Sequence, residues 1–140
     1  MVFQKTDDMS VEVLPEQARF LSDRAKIKQA CKQKNVLAFD IWHEGNLIGF
    51  AMLRRFAVDG WFLWDYAIDW RYQGRKFGKQ ALVELIRFME TQHGLKVMTT
   101  TYVWGNTCAE HLYQSVGFRE TDVVEEPDCH EVNMRYEVKP

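Results

Sequence analysis

The apolar and polar positions of the chain predict β-strands in several segments. Residues 36–43 and 47–56 have strand patterns on either side of the turn Glu44-Gly45-Asn46, which predicts a β-hairpin. Asp59-Gly60 predicts a second tight turn, and the apolar run at residues 61–68 predicts the strand that follows it. Further strands are predicted at residues 2–5, 96–103, 118–124 and 130–138.

Helical spacing of apolar residues occurs in three other segments. Residues 10–32 have a helical pattern. A longer helix precedes Gly94, and a third begins at Asn106 or Thr107 and ends at Gly117. The residues that these helices would bury are Phe20, Leu21, Ile27 and Ala30 in the first, Leu82, Leu85, Ile86 and Met89 in the second, and Ala109, Leu112 and Val116 in the third. The chain is therefore predicted to be mixed α and β.

Composition limits the class of protein and of partner. The 140 residues are 46% hydrophobic, which suits one packed domain over residues 1–140 and argues against disorder. A net charge of −2 does not indicate a nucleic-acid partner. We found no apolar run of 18 residues and no secretion signal, so we expect no membrane partner and a cytoplasmic location. Cys31, Cys108 and Cys129 lack metal-ligand spacing, so we expect free thiols and no metal.

The most informative segment is a basic turn between the strand at residues 61–68 and the long helix. It reads Arg71-Tyr72-Gln73-Gly74-Arg75-Lys76-Phe77-Gly78-Lys79. Free backbone N–H groups and the positive end of the helix dipole favour a bound phosphate here. A basic turn that serves solubility alone is the alternative. No Ser or Thr follows Gly78-Lys79, as a P-loop requires, and the turn has too few glycines for a dinucleotide fingerprint.

A second motif, at residues 106–118, lies in the third predicted helix. It reads Asn-x-x-Ala-x-x-Leu-Tyr-x-x-x-Gly-Phe. Together with the Gln-Gly-Arg-Lys-Phe-Gly-Lys of residues 73–79, it resembles the two motifs of the GNAT superfamily, the acetyl-CoA-dependent N-acetyltransferases. The resemblance extends from about residue 36 to the C-terminus. Within the superfamily, residues 69–74 and 44–52 resemble bacterial spermine/spermidine acetyltransferases.

The resemblance implies a fold and a co-substrate. The fold is an α/β (α+β) GNAT-like fold, with a mixed, twisted sheet of six or seven strands, helices on both faces and a splayed parallel pair at residues 61–68 and 96–103. The co-substrate is acetyl-CoA, with its pantetheine arm in the gap of the splayed pair. The implied cofactor-binding residues are Tyr66, Ala67 and Ile68 through their backbone, Gln73, Gly74, Arg75, Lys76, Phe77, Gly78 and Lys79 in the turn, and Asn106. A plain helix cap is the alternative role for Asn106.

Two features of the basic turn affect how strongly it would bind. Arg71, Arg75, Lys76 and Lys79 supply charge with no intervening acid. Lys76 stands where the family usually has Gly. If the position requires a positive φ, Lys is strained by about 1 kcal/mol, and if it requires only an N–H donor, Lys adds an ammonium beside the phosphates. We expect the second case.

The resemblance also implies two catalytic residues. Tyr113 would protonate the leaving thiolate, and the alternative is a core ring with its hydroxyl at the surface. Asp65 would take the proton from the amine or attract a cationic amine, and the alternative is a charge on a solvent-facing strand. We expect His111 at the surface. Direct transfer needs no Cys nucleophile, and Cys108 has no orienting base in a recognisable spacing.

The charge pattern after the second motif bears on the acceptor. Six of the twelve residues from 120 to 131 are acids, and none is Lys or Arg: Glu120, Asp122, Glu125, Glu126, Asp128 and Glu131. This favours a small cationic amine such as spermidine or spermine, although an aminoglycoside, a peptide N-terminus or a merely solvated hairpin also fits. A non-catalytic acyl-CoA-binding module is the alternative function. Related proteins are often dimers, so we expect a homodimer with Trp42, Trp61 or Trp70 as an interface candidate.

Overall fold

Within residues 1–139, which the computed structural model describes, the chain forms seven strands and four α-helices. In chain order they are β1 (Val2–Thr6), α1 (Pro15–Ala18), α2 (Arg24–Ala30), β2 (Val36–His43), β3 (Asn46–Ala57), β4 (Gly60–Ile68), α3 (Phe77–His93), β5 (Val97–Val103), α4 (Thr107–Val116), β6 (Arg119–Glu126) and β7 (Cys129–Glu137). The strands form one sheet in the order β1-β2-β3-β4-β5-β7-β6. The β4–β5 pairing is parallel and the other pairings are antiparallel, which confirms the predicted mixed sheet.

Helices pack on both faces of the sheet, as predicted. On one face, α3 buries five apolar residues in a core with β2–β5 and β7: Ala81, Leu82, Leu85, Ile86 and Met89. On the other face, Ile27 and Ala30 of α2 pack against Ala38, Phe50 and Met52. Gly94 ends α3 in a left-handed conformation, as predicted. None of the helices in residues 1–139 is long and apolar enough to span a membrane.

The three tryptophans predicted as interface candidates differ in exposure. Trp61 is 4% exposed and belongs to the core beneath α3, so its prediction as an interface residue is wrong. Trp42 is half-buried, whereas Trp70 is 46% exposed. A homodimer stays a prediction.

The predicted helical segment at residues 10–32 is helical only in the short α1 and α2. The backbone between them bonds to side chains instead of continuing a helix. The Ser22 N–H donates to Asp65 at 2.9 Å, and the side chain of Asp23 accepts from the Lys26 N–H at 2.8 Å, which caps α2. Side-chain acceptors that capture backbone N–H groups compete with helix formation, which explains the interruption.

The parallel strands β4 and β5 separate after a short pairing. Pairing covers residues 60–63 of β4 and 97–100 of β5. Beyond Leu63, β4 continues to Ile68 beside β3 alone among the described strands. This confirms the predicted splayed pair, and the main chain of Tyr66, Ala67 and Ile68 borders the gap.

A β-bulge determines on which face of the sheet the Asp65 side chain lies. The β3–β4 register pairs Leu53 with Leu63 and Met52 with Asp65, which leaves Trp64 as an extra residue. The extra residue reverses the alternation of side chains. Leu63 and the later Tyr66 therefore both pack in the core beneath α3, whereas Asp65 reaches the loop before α2.

Candidate active site

The turn before α3 has an unusual backbone. Gly74 has φ 75°, and Lys76, the residue that caps α3, has φ 64°. The expectation that this position requires only an N–H donor is therefore wrong, because Lys76 occupies the left-handed region where a side chain is strained. Its side chain forms no capping hydrogen bond, so the N–H groups of the first turn of α3 gain no cap from it.

Three cations lie exposed around this turn. Arg75, Lys76 and Lys79 are all exposed, and none forms an ion pair within residues 1–139. A Cβ placed on Gly78 would meet no protein atom nearer than 3.8 Å, so packing within the chain does not require glycine there. The bare backbone at Gly78 leaves room for a group outside the protein to approach the start of α3.

Arg71 differs from the other cations because Asp69 neutralises it. Its guanidinium donates to both oxygens of Asp69 at 2.9 Å. Asp69 is buried and also accepts from the N–H groups of Glu12 and Arg71, each at 3.0 Å. Hydrogen bonds from Arg71 lower the pKa of Asp69 to about 2. The prediction that Arg71 adds free charge for a phosphate is therefore wrong.

Two polar side chains tie the turn to the end of β4. The Gln73 side-chain amide donates to the Ile68 carbonyl at 2.9 Å and also bonds to the side chain of Gln17. The Tyr66 hydroxyl donates to the Gly78 carbonyl at 2.6 Å, and burial raises the pKa of Tyr66 well above its ordinary value. Phe77 packs its ring 5.2 Å from that of His43. The first two contacts connect the turn to β4, and the third places it beside the end of β2.

Asp65 is a buried carboxylate with an unpaired oxygen. It is 4% exposed, and its Oδ1 accepts from the Ser22 N–H. Its Oδ2 has no hydrogen-bond partner among the described residues. Burial raises the pKa of Asp65 above its usual range. The alternative of a solvent-facing charge is wrong, because the Trp64 bulge turns Asp65 inward.

A cavity of about 460 Å³ joins Asp65 to the second motif. Tyr113 of α4 lines it together with Asp65, Tyr66 and Asn106. Tyr113 is 8% exposed, and burial raises the pKa of its hydroxyl, with a hydrogen bond involving Thr100 acting in the opposite direction. The alternative of a hydroxyl at the surface is wrong.

Asn106 combines the two roles considered for it. Its side-chain oxygen accepts from the Ala109 N–H at 3.2 Å and so caps α4. Its amide nitrogen donates to no acceptor within residues 1–139, and the residue lines the cavity. His111 and Cys108 are exposed, and Cys31, Cys108 and Cys129 are free thiols, as predicted.

The comparison with family models decides the class. Residues 4–118 match the model of the acetyltransferase (GNAT) family. The chain belongs to the GNAT family. The predicted family, and with it the fold, is confirmed.

Relatives of this GNAT chain include two curated proteins of Bacillus subtilis (strain 168). The chain is 34% identical over 86 residues to a spermine/spermidine N(1)-acetyltransferase, covering 56% of this chain and 57% of the relative. It is 33% identical over 63 residues to an uncharacterized N-acetyltransferase, covering 45% of this chain and 40% of the relative. The matches thus span between two fifths and three fifths of these relatives.

Solved structures share the GNAT fold. A GNAT family acetyltransferase from Elizabethkingia anophelis, solved with acetyl-CoA bound, matches with a TM-score of 0.74 at 16% identity over 98% of this chain and 97% of that chain. A spermidine N-acetyltransferase mutant from Vibrio cholerae matches with a TM-score of 0.69 at 18% identity over 81% of this chain and 72% of that chain.

The GNAT site of this chain fits acetyl-CoA at both ends. Free cations and accessible N–H groups at the start of α3 suit the phosphates, and the gap beside β4 suits the pantetheine arm. Near the reacting end, Asp65 Oδ2 and the Asn106 amide are polar groups with bonding capacity left over. Among residues 1–139, no group of three His, Cys, Asp or Glu side chains is placed to hold a metal.

The cavity differs from the predicted acidic acceptor site. Of the six acids at residues 120–131, Glu131 alone among the described residues lines it. Arg19 and Lys26, which the sequence did not single out, line it too. They lie just after α1 and in the first turn of α2, on either side of Ser22. No sequence signal points to them, since only the fold brings this loop to Asp65.

Proposed function

We propose that the chain is an N-acetyltransferase that moves an acetyl group from acetyl-CoA to a primary amine by direct attack. The observation that carries the proposal is that the Asp65 carboxylate and the Tyr113 hydroxyl, both buried, line one cavity beside the gap between β4 and β5. Membership of the GNAT family supports the reaction class.

Each step of the transfer has a candidate group. The amine must lose a proton before it attacks. Asp65 can receive it, because burial raises the pKa of Asp65 and makes it a stronger base than an exposed carboxylate. A main-chain N–H of residues 66–68 polarises the thioester carbonyl. As the new C–N bond forms and the C–S bond breaks, the Tyr113 hydroxyl gives its proton to the leaving sulfur. The buried Tyr113 hydroxyl carries a raised pKa, so it is protonated and ready to donate at neutral pH.

The turn before α3 would hold the phosphates of acetyl-CoA. Main-chain N–H groups at the start of α3 supply donors, and Arg75, Lys76 and Lys79 supply charge. Gln73 acts through the Ile68 carbonyl that it binds, so its side chain positions the turn rather than touching a phosphate.

A polyamine is one acceptor class that fits within this function. Similarity to a spermine/spermidine N(1)-acetyltransferase supports it, and Asp65 and Glu131 would attract its ammonium groups. Aminoglycosides and peptide N-termini are further acceptors with the required amine.

A non-catalytic acyl-CoA-binding module is the second candidate. One observation favours it: Lys76 holds a left-handed conformation in the turn before α3, which is strained for any residue with a side chain. The pair of buried groups, Asp65 and Tyr113, favours the enzyme, because a module that only binds has no need of either.

The test is thiol release from acetyl-CoA with spermidine, spermine, lysine, an aminoglycoside and a basic peptide, each from about pH 7 to 9. The proposal expects amine-dependent release that is strongly reduced in Tyr113→Phe. Tight acetyl-CoA binding with no release for any amine would support the binding module instead.

A further inference from the structure

The cavity is lined by equal numbers of acidic and basic side chains. An acceptor that carries only positive charge would not need the basic ones. Asp65 and Glu131 contribute two acids, and Arg19 and Lys26 contribute two cations. Neither cation forms an ion pair within residues 1–139. A second ammonium of a polyamine would therefore meet repulsion from two cations as well as attraction from the acids.

The loop that carries the cations also orients Asp65. Arg19 follows α1, Ser22 donates its N–H to Asp65, and Lys26 lies in the first turn of α2. The Arg19 guanidinium lies 4.5 Å from the centre of the Phe20 ring, and Phe20 lines the same cavity. An anion bound by these two side chains would therefore lie in the same cavity as Asp65.

We propose that the acceptor carries a carboxylate in addition to its primary amine, and that Arg19 and Lys26 bind this carboxylate while Asp65 receives the amine. The proposal rests on the proposed acetyl transfer to an amine. Arg forms paired hydrogen bonds with a carboxylate, and Lys adds a compact charge. The substrate class is then an amino acid or a peptide with a nearby carboxylate rather than a polyamine.

Matched amines that differ only in the carboxylate test this class. The pairs are lysine with cadaverine, phenylalanine with phenethylamine, and a dipeptide with its C-terminal amide. Thiol release and binding of each amine, measured by calorimetry with CoA present, are the two readouts. We expect the carboxylate-bearing member to be favoured about 10- to 100-fold in kcat/KM and in affinity.

Charge-removing variants tell carboxylate binding from a general effect on Asp65. Arg19→Gln and Lys26→Gln should each remove most of the preference, because thiol release and binding should fall more for the carboxylate-bearing amine of each pair than for its carboxylate-free partner. Lys28→Gln is the matched control, because Lys28 lies on the same helix but pairs with Asp8 at 3.7 Å and does not line the cavity. The Lys28→Gln variant should favour the carboxylate-bearing amines as strongly as the parent protein does.

Several results would overturn the proposal. It fails if cadaverine or spermidine is preferred over lysine, if both variants slow all amines equally, or if no carboxylate-bearing amine binds at millimolar concentration. Failure of the acetyltransferase function has a different pattern: binding would still distinguish the matched amines, but no thiol would be released.

Discussion

Asp65 is the residue whose environment departs furthest from that of an ordinary strand carboxylate. Burial raises its pKa, and one of its oxygens is buried with no hydrogen-bond partner among the described residues. A group whose folded pKa is raised costs stability as soon as the pH exceeds its unfolded value, near 3.9, because the folded protein must then hold a buried charge. The same feature that suits Asp65 as a base therefore destabilises the fold.

Asp65→Asn should separate these two effects. We expect kcat/KM to fall by about 100-fold, since the proposed base is lost. The free energy of unfolding should exceed that of the parent protein at pH 7, and the difference should vanish as the pH falls below about 4. Urea unfolding at several pH values measures this. Asp40→Asn is the control for activity. Burial also raises the pKa of Asp40, but Asp40 does not line the cavity, so kcat/KM should not fall. A less stable Asp65→Asn at pH 7 would contradict the argument.

Tyr113→Phe tests the proposed proton donor at almost constant volume. Loss of the hydroxyl should lower kcat by about 100-fold, while the Kd for acetyl-CoA stays within about three-fold. Tyr102→Phe is a matched control, since Tyr102 is also buried and lines the cavity but has no assigned role. Stopped-flow thiol release and calorimetry give the two constants. Equal losses in both variants would indicate a packing effect and remove Tyr113 from the mechanism.

Sequence motifs predicted some residues of the candidate site and missed others for a clear reason. Tyr113 and Asn106 were predicted because the motif of α4 is local in sequence. Ser22 contacts Asp65 across 43 positions, so no local pattern reveals it. Arg19 and Lys26 were missed for the same reason, since they enter the cavity only through the packing of this loop on β4.

At the scale of elements, the turn before α3 carries a measurable strain. Lys76→Gly should raise the free energy of unfolding by about 1 kcal/mol, because glycine adopts φ 64° without a Cβ clash. Lys76→Ala is the comparison, since it removes the ammonium but keeps the Cβ. If the ammonium contributes to phosphate binding, both variants should raise the Kd for acetyl-CoA by the same factor. Only the glycine variant should gain stability. Thermal unfolding and calorimetry measure both, and equal stability of the two variants would exclude strain at this position.

The sequence predicted that the strands exist, but it did not predict on which face of the sheet each side chain of β4 lies. The hairpin of β2 and β3 follows from Glu44-Gly45-Asn46, a local turn signal. The β4 segment, in contrast, is apolar on both faces, so its pattern contains no alternation that could reveal a bulge at Trp64. The bulge decides the face to which Asp65 points, and it arises from the pairing of β4 with β3.

At the scale of the whole molecule, Asp69 joins segments that are distant in sequence. Its carboxylate accepts from the N–H of Glu12 and from the side chain of Arg71, and its own N–H donates to the Ile48 carbonyl at 2.8 Å. Through its carboxylate and its main-chain N–H, Asp69 thus connects the N-terminal segment, β3 and the turn before α3. Its pKa is lowered to about 2, so its contribution to stability is present above the unfolded value near 3.9 and is lost as the pH falls towards 2.

Asp69→Asn should therefore destabilise the protein by about 2 kcal/mol at pH 7, where the parent carboxylate is charged in both the folded and unfolded states. The difference should shrink between about pH 4 and pH 2, because the parent protein loses the same interaction by protonation. Arg71→Gln is the control. It should lower the free energy of unfolding by less than Asp69→Asn does, since two backbone N–H donors still bind Asp69 and Arg71 is largely exposed. Urea unfolding of the three proteins at about pH 7, 4 and 3 measures these differences. A difference that stays constant with pH would mean that Asp69 acts through packing and not through its charge.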